Sequence, residues 1–357
     1  SIRRQRQMCI RDRQGYDVTG VYMKNWSQDL PGMQCPWAED LADAKRVAVQ
    51  LGIDFIVFDF EHDYKQKVVD YMLAEYQAGR TPNPDIMCNQ EIKFRLFLDT
   101  ARERGTDLIA TGHYAQTGGV YAEDDNAATN QEHSFQPDRL YRATDAAKDQ
   151  TYFLYRVTSD ALQHTLFPLG GYTKQQVRHM ASERDLWTAR KQESMGVCFV
   201  GNVGMRDFLS QYISTRPGDI IDKQTGVVLG RHDGAIFYTL GQRHGLDVGG
   251  GLPYYVVGKD MAANVVYVSR NMNDEAMWRH DVLVGDLHWI HGAPAASDQL
   301  TVRLRHRGQL RPCTLQYDPA QAQATLHLSD PERAVAAGQS AVIYRGAECL
   351  GGGIVVD

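Results

Sequence analysis

The chain has 357 residues, 43% of them hydrophobic, which is enough for a substantial core and for two or three domains rather than one. Its 38 basic and 44 acidic residues leave a formal charge of -6, so no global positive field invites nucleic acid and only a local basic surface could bind it. No apolar run approaches the roughly 18 residues of a transmembrane helix, no signal-peptide core is present and the six cysteines contain no CxxC pair, so we expect a cytoplasmic protein with no membrane partner, metal site or dense disulfide framework.

Residues 1–13, "SIRRQRQMCIRDR", carry five arginines and neither a strand nor a helix period, then join abruptly to "QGYDVTG". We read them as a non-native leader, with a basic nucleic-acid-binding arm as the alternative. From Gly15 the texture alternates. "YDVTGVYMKN" and "IDFIVFDF" are β-rich, and between them "AEDLADAKRVAVQLG" has apolar residues at helical spacing and stops at a glycine, a β-α-β pattern. Helical "YKQKVVDYMLAEYQAG", helical "EIKFRLFLDTARERG" and the strand "TDLIATGHYA" continue it, predicting a doubly wound parallel sheet covered by helices on both faces over residues 14–203. Ligands of such sheets lie beyond the carboxyl ends of the strands. The polar segment from Gly118 to Asp138 reads as a surface hairpin insertion without chemistry. Short β-like runs such as "GAIFYTL" and "NVVYVSRN" predict a small central domain over residues 204–273, and "LTVRLRHRGQLRPCTLQY", "QATLHLS" and "QSAVIYRGAECLGGGIVV" predict a C-terminal antiparallel β-barrel over residues 274–357.

Several residues invite chemistry. Cys88 reads as lying just before the helix "NQEIKFRLFL", where unpaired backbone N–H groups and the helix dipole favour a thiolate; the alternative is a small buried residue. Pro82 and Pro84 stiffen the loop before it, which suits positioning Asp85 and Cys88 together. Cys198 in "ESMGVCFVGN" looks by itself like core. Gly112 and His113 fall where a strand ends, and glycine there permits close approach of a ligand, though a plain turn is as good a reading. Lys148, Asp149 and Gln150 form a polar loop before an apolar segment. Alternation puts Arg303, Arg305 and Arg307 on one strand face, either for phosphates or simply solvated.

In order along the chain, "GVYMKNW", "LADA", "AGRTPNPDIMCNQEIKF", "ATGHYA", "KDQTYFLY", "GVCFVG", "TLGQRHGL" and "CLGGGI" closely resemble the tRNA-specific 2-thiouridylase family, from about Gly15 to the last residues. The resemblance implies an ATP-pyrophosphatase-like α/β domain, a small central domain and a tRNA-gripping barrel. It implies ATP, with magnesium, as the activating cofactor, tRNA and a sulfur-relay donor protein as partners, and a monomer. It assigns Cys198 the persulfide that carries incoming sulfur and Cys88 the partner nucleophile, with a disulfide between them when sulfur leaves. Asn83, Pro84 and Asp85 match the target-base contact; His113, Lys148, Asp149, Gln150, Arg305, His306 and Gln339 match tRNA contacts; Met23 and Gly112 match positions that touch ATP. The family's Ser-Gly-Gly-x-Asp-Ser phosphate loop does not occur in this sequence. The expectation is therefore a thiolase truncated at its N-terminus, with a tRNA-binding or thiol-redox protein that has lost adenylation as the alternative. Cys9, Cys35, Cys313 and Cys349 have no assigned role.

Overall fold

A computed structural model of the chain describes residues 16–29, 35, 37–118, 135–189, 191, 204–249, 251–271, 273–295, 297–318 and 320–356. The proposed leader, the tip of the hairpin insertion and Cys198 lie outside them.

Strands β1 (Thr19–Lys24) and β2 (Asp54–Asp59) pair in parallel, from Thr19 opposite Asp54 to Lys24 opposite Asp59. Helix α1 (Trp37–Leu51) connects them, with Glu39 and Asp40 in its first turn where the dipole favours acids, and with Val47 and Ala48 buried. It stops at Gly52, whose φ of +66° favours glycine. Helix α2 runs as Glu61–Tyr64, a π-helical Lys65–Val69 and Asp70–Gln77, burying Tyr64, Val68, Val69 and Met72.

Helix α3 follows as Pro84–Met87, a π-helical Cys88–Leu96 and Phe97–Glu103. This corrects the expectation that Cys88 precedes the helix. Asn83 caps the helix by accepting from the Asp85 amide, and Pro84 occupies the first helical position, where a missing N–H costs nothing. Cys88 therefore sits beyond the first turn, and its own amide already donates to the carbonyl of Pro84.

Strand β3 (Ile109–Ala110) is followed by the short stems β4 (Ala115–Gln116) and β5 (Leu140–Arg142). Helix α4 (Ser159–Gln163) is capped by Thr158 and leads into β6 (Thr165–Leu166), the parallel partner of β3. Helix α5 (Lys174–Glu183) opens with a capping box between Thr173 and Gln176. Among the described residues the parallel sheet is thus present as two pairs, β1–β2 and β3–β6.

After α6 (Met205–Tyr212) the chain builds a mixed four-stranded sheet from β7 (Gly218–Asp222), β8 (Val228–His232), β9 (Tyr255–Asp260) and β10 (Val265–Ser269), in the order β8-β7-β10-β9. Ile220, Val256, Val266 and Val268 fill its core. Lys259 projects from this sheet and donates to the carbonyl of Tyr238 at 2.9 Å. Burial pulls its ammonium down to about 8. At this residue the unfolded chain then holds more proton than the folded one between that pH and the ordinary lysine value of about 10.4, so the Lys259 contribution to stability rises with pH across this window. Buried thiols and phenols, whose values burial raises, act in the opposite direction over the same range, so the lysine is read by difference: urea midpoints of the parent are expected to gain on those of Lys259→Met as the pH rises through the window.

The C-terminal part contains β11 (Trp278–Trp289), β12 (Leu300–Arg303), β13 (Arg311–Asp318), β14 (Gln323–Arg333), β15 (Ser340–Arg345) and β16 (Glu348–Val355). They pair in the order β11-β14-β13-β12-β15-β16, and β11 pairs again with β16, closing a six-stranded antiparallel barrel. Val282, Val302, Leu326, Ile343 and Val355 pack inside. The short strands that flank the Gly118–Asp138 segment have a structural task. The second of them, β5, pairs with β16, Leu140 opposite Cys349, so the first domain adds strands to the barrel's sheet.

Candidate active site

The loop from Arg80 to Asn83 and the start of α3 form the centre of the site. Pro82 and Pro84 are both buried. Asp85 is half-buried, and burial raises its carboxyl above the ordinary value while the Lys93 ammonium pulls the other way. One turn further Cys88 is 3% exposed and belongs to the core that includes Ile86, Ile92, Phe94, Tyr152 and Tyr155. The buried Asn89 donates to the carbonyl of Phe153 at 2.8 Å and accepts from Lys93 Nζ at 2.9 Å. Sequence reasoning missed Asn89 and Lys93. Their spacing of four on one helix, which puts them on the same face, was the available signal.

A second group stands at the carboxyl ends of the parallel strands. Met23 is the next-to-last residue of β1 and is buried. Beside it Lys24 Nζ pairs with Glu61 at 2.5 Å and Asp59 at 3.4 Å, and Ser27 donates to Glu61. The hydrogen bond to Glu61 raises the Lys24 ammonium above its ordinary value. This Lys24–Glu61–Ser27 cluster was not found from sequence, because its partners are separated by the whole of α1 and β2. Gly112 follows β3 by two residues and is buried. His113 is half-buried, with Nδ1 at 2.9 Å from the Thr111 hydroxyl and its ring 5.6 Å from that of Phe94 on α3, so its strand end and the cysteine-bearing helix share one packing surface.

The third group joins the first domain to the barrel. Gln150 holds the stretch after His113 by accepting from the Tyr114 amide at 3.0 Å, and Lys148 is half-buried beside it. Asp149 is not presented to solvent. Its carboxylate is 0% exposed, pairs with Arg303 at 3.0 Å and accepts from the Thr151 hydroxyl at 2.9 Å. The same pair corrects the three-arginine face: β12 ends at Arg303, which turns inward to Asp149, while Arg305 and Arg307 lie in the turn that follows, Arg307 at φ +61°. Arg305 is exposed and pairs with Glu332 at 2.8 Å. The His306 ring packs 4.4 Å from that of Phe153, tilted 42° to it, and the Phe153 carbonyl holds Asn89. Gln339 is half-buried and donates to the carbonyl of Thr81 at 3.3 Å. The structure thus links Asn83, Pro84, Asp85 and Cys88 to Gln339 through the loop, and to His306 through Phe153.

Of the cysteines without an assigned role, burial pushes the Cys313 thiol up to about 12 and the Cys349 thiol higher still, which makes both inert packing groups. Cys35 is half-buried, and its thiol is also raised by burial. Cys9 lies outside the described residues. None of the described helices is long and apolar enough to cross a membrane.

An α/β unit with a capped, thiol-bearing helix, a mixed central sheet and a closed barrel is the domain series of one group of proteins. Family profiles match it in the same order: a tRNA methyl transferase HUP domain over residues 7–202, a tRNA methyl transferase PRC-barrel domain over 206–270 and an aminomethyltransferase beta-barrel domain over 279–355. The tRNA-specific 2-thiouridylase MnmA of Enterococcus faecalis is 40% identical over 347 residues, covering 96% of this chain and 89% of the relative. The Methylococcus capsulatus protein of the same name is 41% identical, with 96% and 90% covered, and that of Bacillus subtilis 40% identical, with 96% and 89% covered. The chain belongs to the tRNA-specific 2-thiouridylase family, a family of enzymes.

Proposed function

We propose that this enzyme replaces the C2 oxygen of the wobble uridine of certain tRNAs with sulfur, in an ATP-dependent reaction. The Pro82–Cys88 stretch carries the reading: two buried prolines and an asparagine cap fix the loop where an extruded base would be received, with a buried thiol one turn further on. Uridine O2 is a poor leaving group, and ATP, as co-substrate, supplies the adenylate that makes it a good one. Asn83, Pro84 and Asp85 meet the base, and the raised carboxyl of Asp85 suits it to hold a proton at N3.

The outer sulfur of a Cys198 persulfide attacks C2, and the C–O bond breaks as AMP departs. The Cys88 thiolate then attacks the inner sulfur of Cys198. That step forms a Cys88–Cys198 disulfide and leaves the electron pair of the broken S–S bond on the sulfur at C2. A persulfide is more acidic than an ordinary thiol of pKa about 8.5, so it is ionised at neutral pH. Exclusion of water from the closed site would protect the adenylate from hydrolysis.

Met23 and Gly112 are assigned to the nucleobase side of ATP, with magnesium as counter-ion of the phosphates. Gly112 suits that place because no side chain stands in the way. His113, Lys148, Gln150, Arg305, His306 and Gln339 are assigned to tRNA, with Asp149 contributing through its backbone. Residues 14–203, 204–273 and 274–357 serve as the catalytic, central and tRNA-gripping domains of a cytoplasmic monomer fed by a sulfur-relay protein.

The decisive test is to express the gene from its native locus in a host lacking its own 2-thiouridylase and measure tRNA nucleosides by mass spectrometry. Restored 2-thiouridine supports the reading, and its absence despite folded protein overturns it. Arg305→Ala is expected to weaken tRNA binding and to lower the salt slope by about one unit, since Arg305 is exposed and its pairing with Glu332 occupies only part of the guanidinium. A salt titration with an unchanged slope would remove Arg305 from the interface.

A further inference from the structure

Thr81 is where the three parts of the chain touch. Its amide donates to the carbonyl of Ala337 at 2.9 Å, its carbonyl accepts from Gln339 at 3.3 Å and its hydroxyl lies 3.1 Å from that of Thr239. Every polar atom of this residue is committed to the barrel or to the central domain. Gly338 lies between the two barrel partners at φ +88°, and a Cβ there would stand 2.7 Å from the Thr81 nitrogen and 2.9 Å from Arg80 Cβ.

The barrel side of the contact is braced. Gly338 donates to the carbonyl of Val355 at 2.9 Å, and Val355 donates back to that of Gln339 at 2.8 Å, so the turn is tied to β16. The loop side is braced as well. The Arg80 guanidinium meets Glu75 at 2.6 Å, and the Arg80 amide donates to the carbonyl of the same residue at 2.9 Å. Gly79, at φ +79°, packs so closely on the central domain that a Cβ would stand 2.6 Å from Met261 Cγ. Two residues beyond Thr81 the chain reaches Asn83, the cap of α3.

We propose that Thr81, Thr239, Gly338 and Gln339 are positioning residues for thiolation: the barrel and the central domain set where Asn83, Pro84, Asp85 and the first turns of α3 stand. The barrel is then part of the catalytic apparatus as well as a tRNA-binding module. This rests on the reading of the Pro82–Cys88 stretch as the base-receiving segment.

The test compares Gly338→Ala, Thr81→Val and Thr81→Ser with the parent in the full gene product. Gly338→Ala forces the left-handed φ on alanine and drives its methyl into the loop, and it is expected to lower kcat about 10- to 100-fold while KM for tRNA holds. Thr81→Val removes only the hydroxyl contact and lowers kcat less, and Thr81→Ser recovers most of that loss. If Gly338→Ala does not fold, the valine and serine pair decides.

A second readout needs neither tRNA nor ATP. After reduction, the alkylation of Cys88 by iodoacetamide, followed by peptide mass spectrometry, rises severalfold in Gly338→Ala, because the buried thiol is reached only when the segment opens. Unchanged kcat together with unchanged alkylation would reduce the contact to a domain seam. If the parent makes no 2-thiouridine but the alkylation rate still rises, the function assigned above fails and the positioning of this segment by the barrel survives.

Discussion

Asp149→Ala is expected to lower the unfolding free energy by about 3–5 kcal/mol, the usual consequence of removing one member of a buried ion pair. The Asp149 carboxylate has no exposed surface and lies 3.0 Å from Arg303, itself 8% exposed, and 3.6 Å from the Arg142 guanidinium. Alanine would leave Arg303 buried without its counter-charge and strip the Thr151 hydroxyl of a partner at 2.9 Å. The effect would be felt across the boundary between the first domain and the barrel, because Asp149 belongs to one and Arg303 to the other. Replacing both members, as Asp149→Ala with Arg303→Met, is expected to recover most of the loss, since a methionine needs no counter-charge. Urea titrations at constant m-value measure both. A single variant within about 0.5 kcal/mol of the parent, the range of an ordinary surface change, would show that the pair contributes little.

The cysteine pair carries the other large expectation. Cys198→Ser should abolish sulfur transfer from a donor protein to tRNA, because no other residue is assigned the persulfide. Cys88→Ser should still accept sulfur at Cys198 and fail to hand it on, so the persulfide accumulates while 2-thiouridine does not form. Non-reducing mass spectrometry after a single turnover of the parent should find Cys88 linked to Cys198, which requires Cα atoms within about 7 Å at that moment. The burial of Cys88 at 3% makes this demanding: the helix start has to open before the thiol can act. Thiolation at the parental rate by Cys88→Ser would return the residue to the role of core packing.

What the sequence disclosed follows from the range of the interactions involved. The β-α-β alternation, the first helix with its terminal glycine and the barrel strands are set by neighbours in the chain, and they were legible. The start of α3 was misread by five residues, Asn89 for Pro84, because the apolar period begins only after Cys88, whereas the cap and the proline that fix the true start lie before it. The arginine face failed for a different reason. Alternation describes Arg303 and Arg305 as equivalent, and only folding supplies Asp149, 154 residues away, to draw one of them inside. Lys24 with Glu61, and Thr81 with Ala337 and Thr239, were invisible for the same cause: each is an ordinary residue until distant chain arrives beside it.

The stem of the hairpin insertion carries a cost in time. Its Arg139 and Leu140 meet Glu348 and Cys349, and the first of these contacts spans 209 residues. On a ribosome adding about 5–20 residues per second, the strand that completes the pairing is made roughly 10–40 s after the stem. Through that interval the nascent first domain holds out a strand edge with no partner, a ready template for pairing with a neighbouring chain. The stem is only three residues long and ends in arginine, which keeps that edge a poor template until β16 arrives.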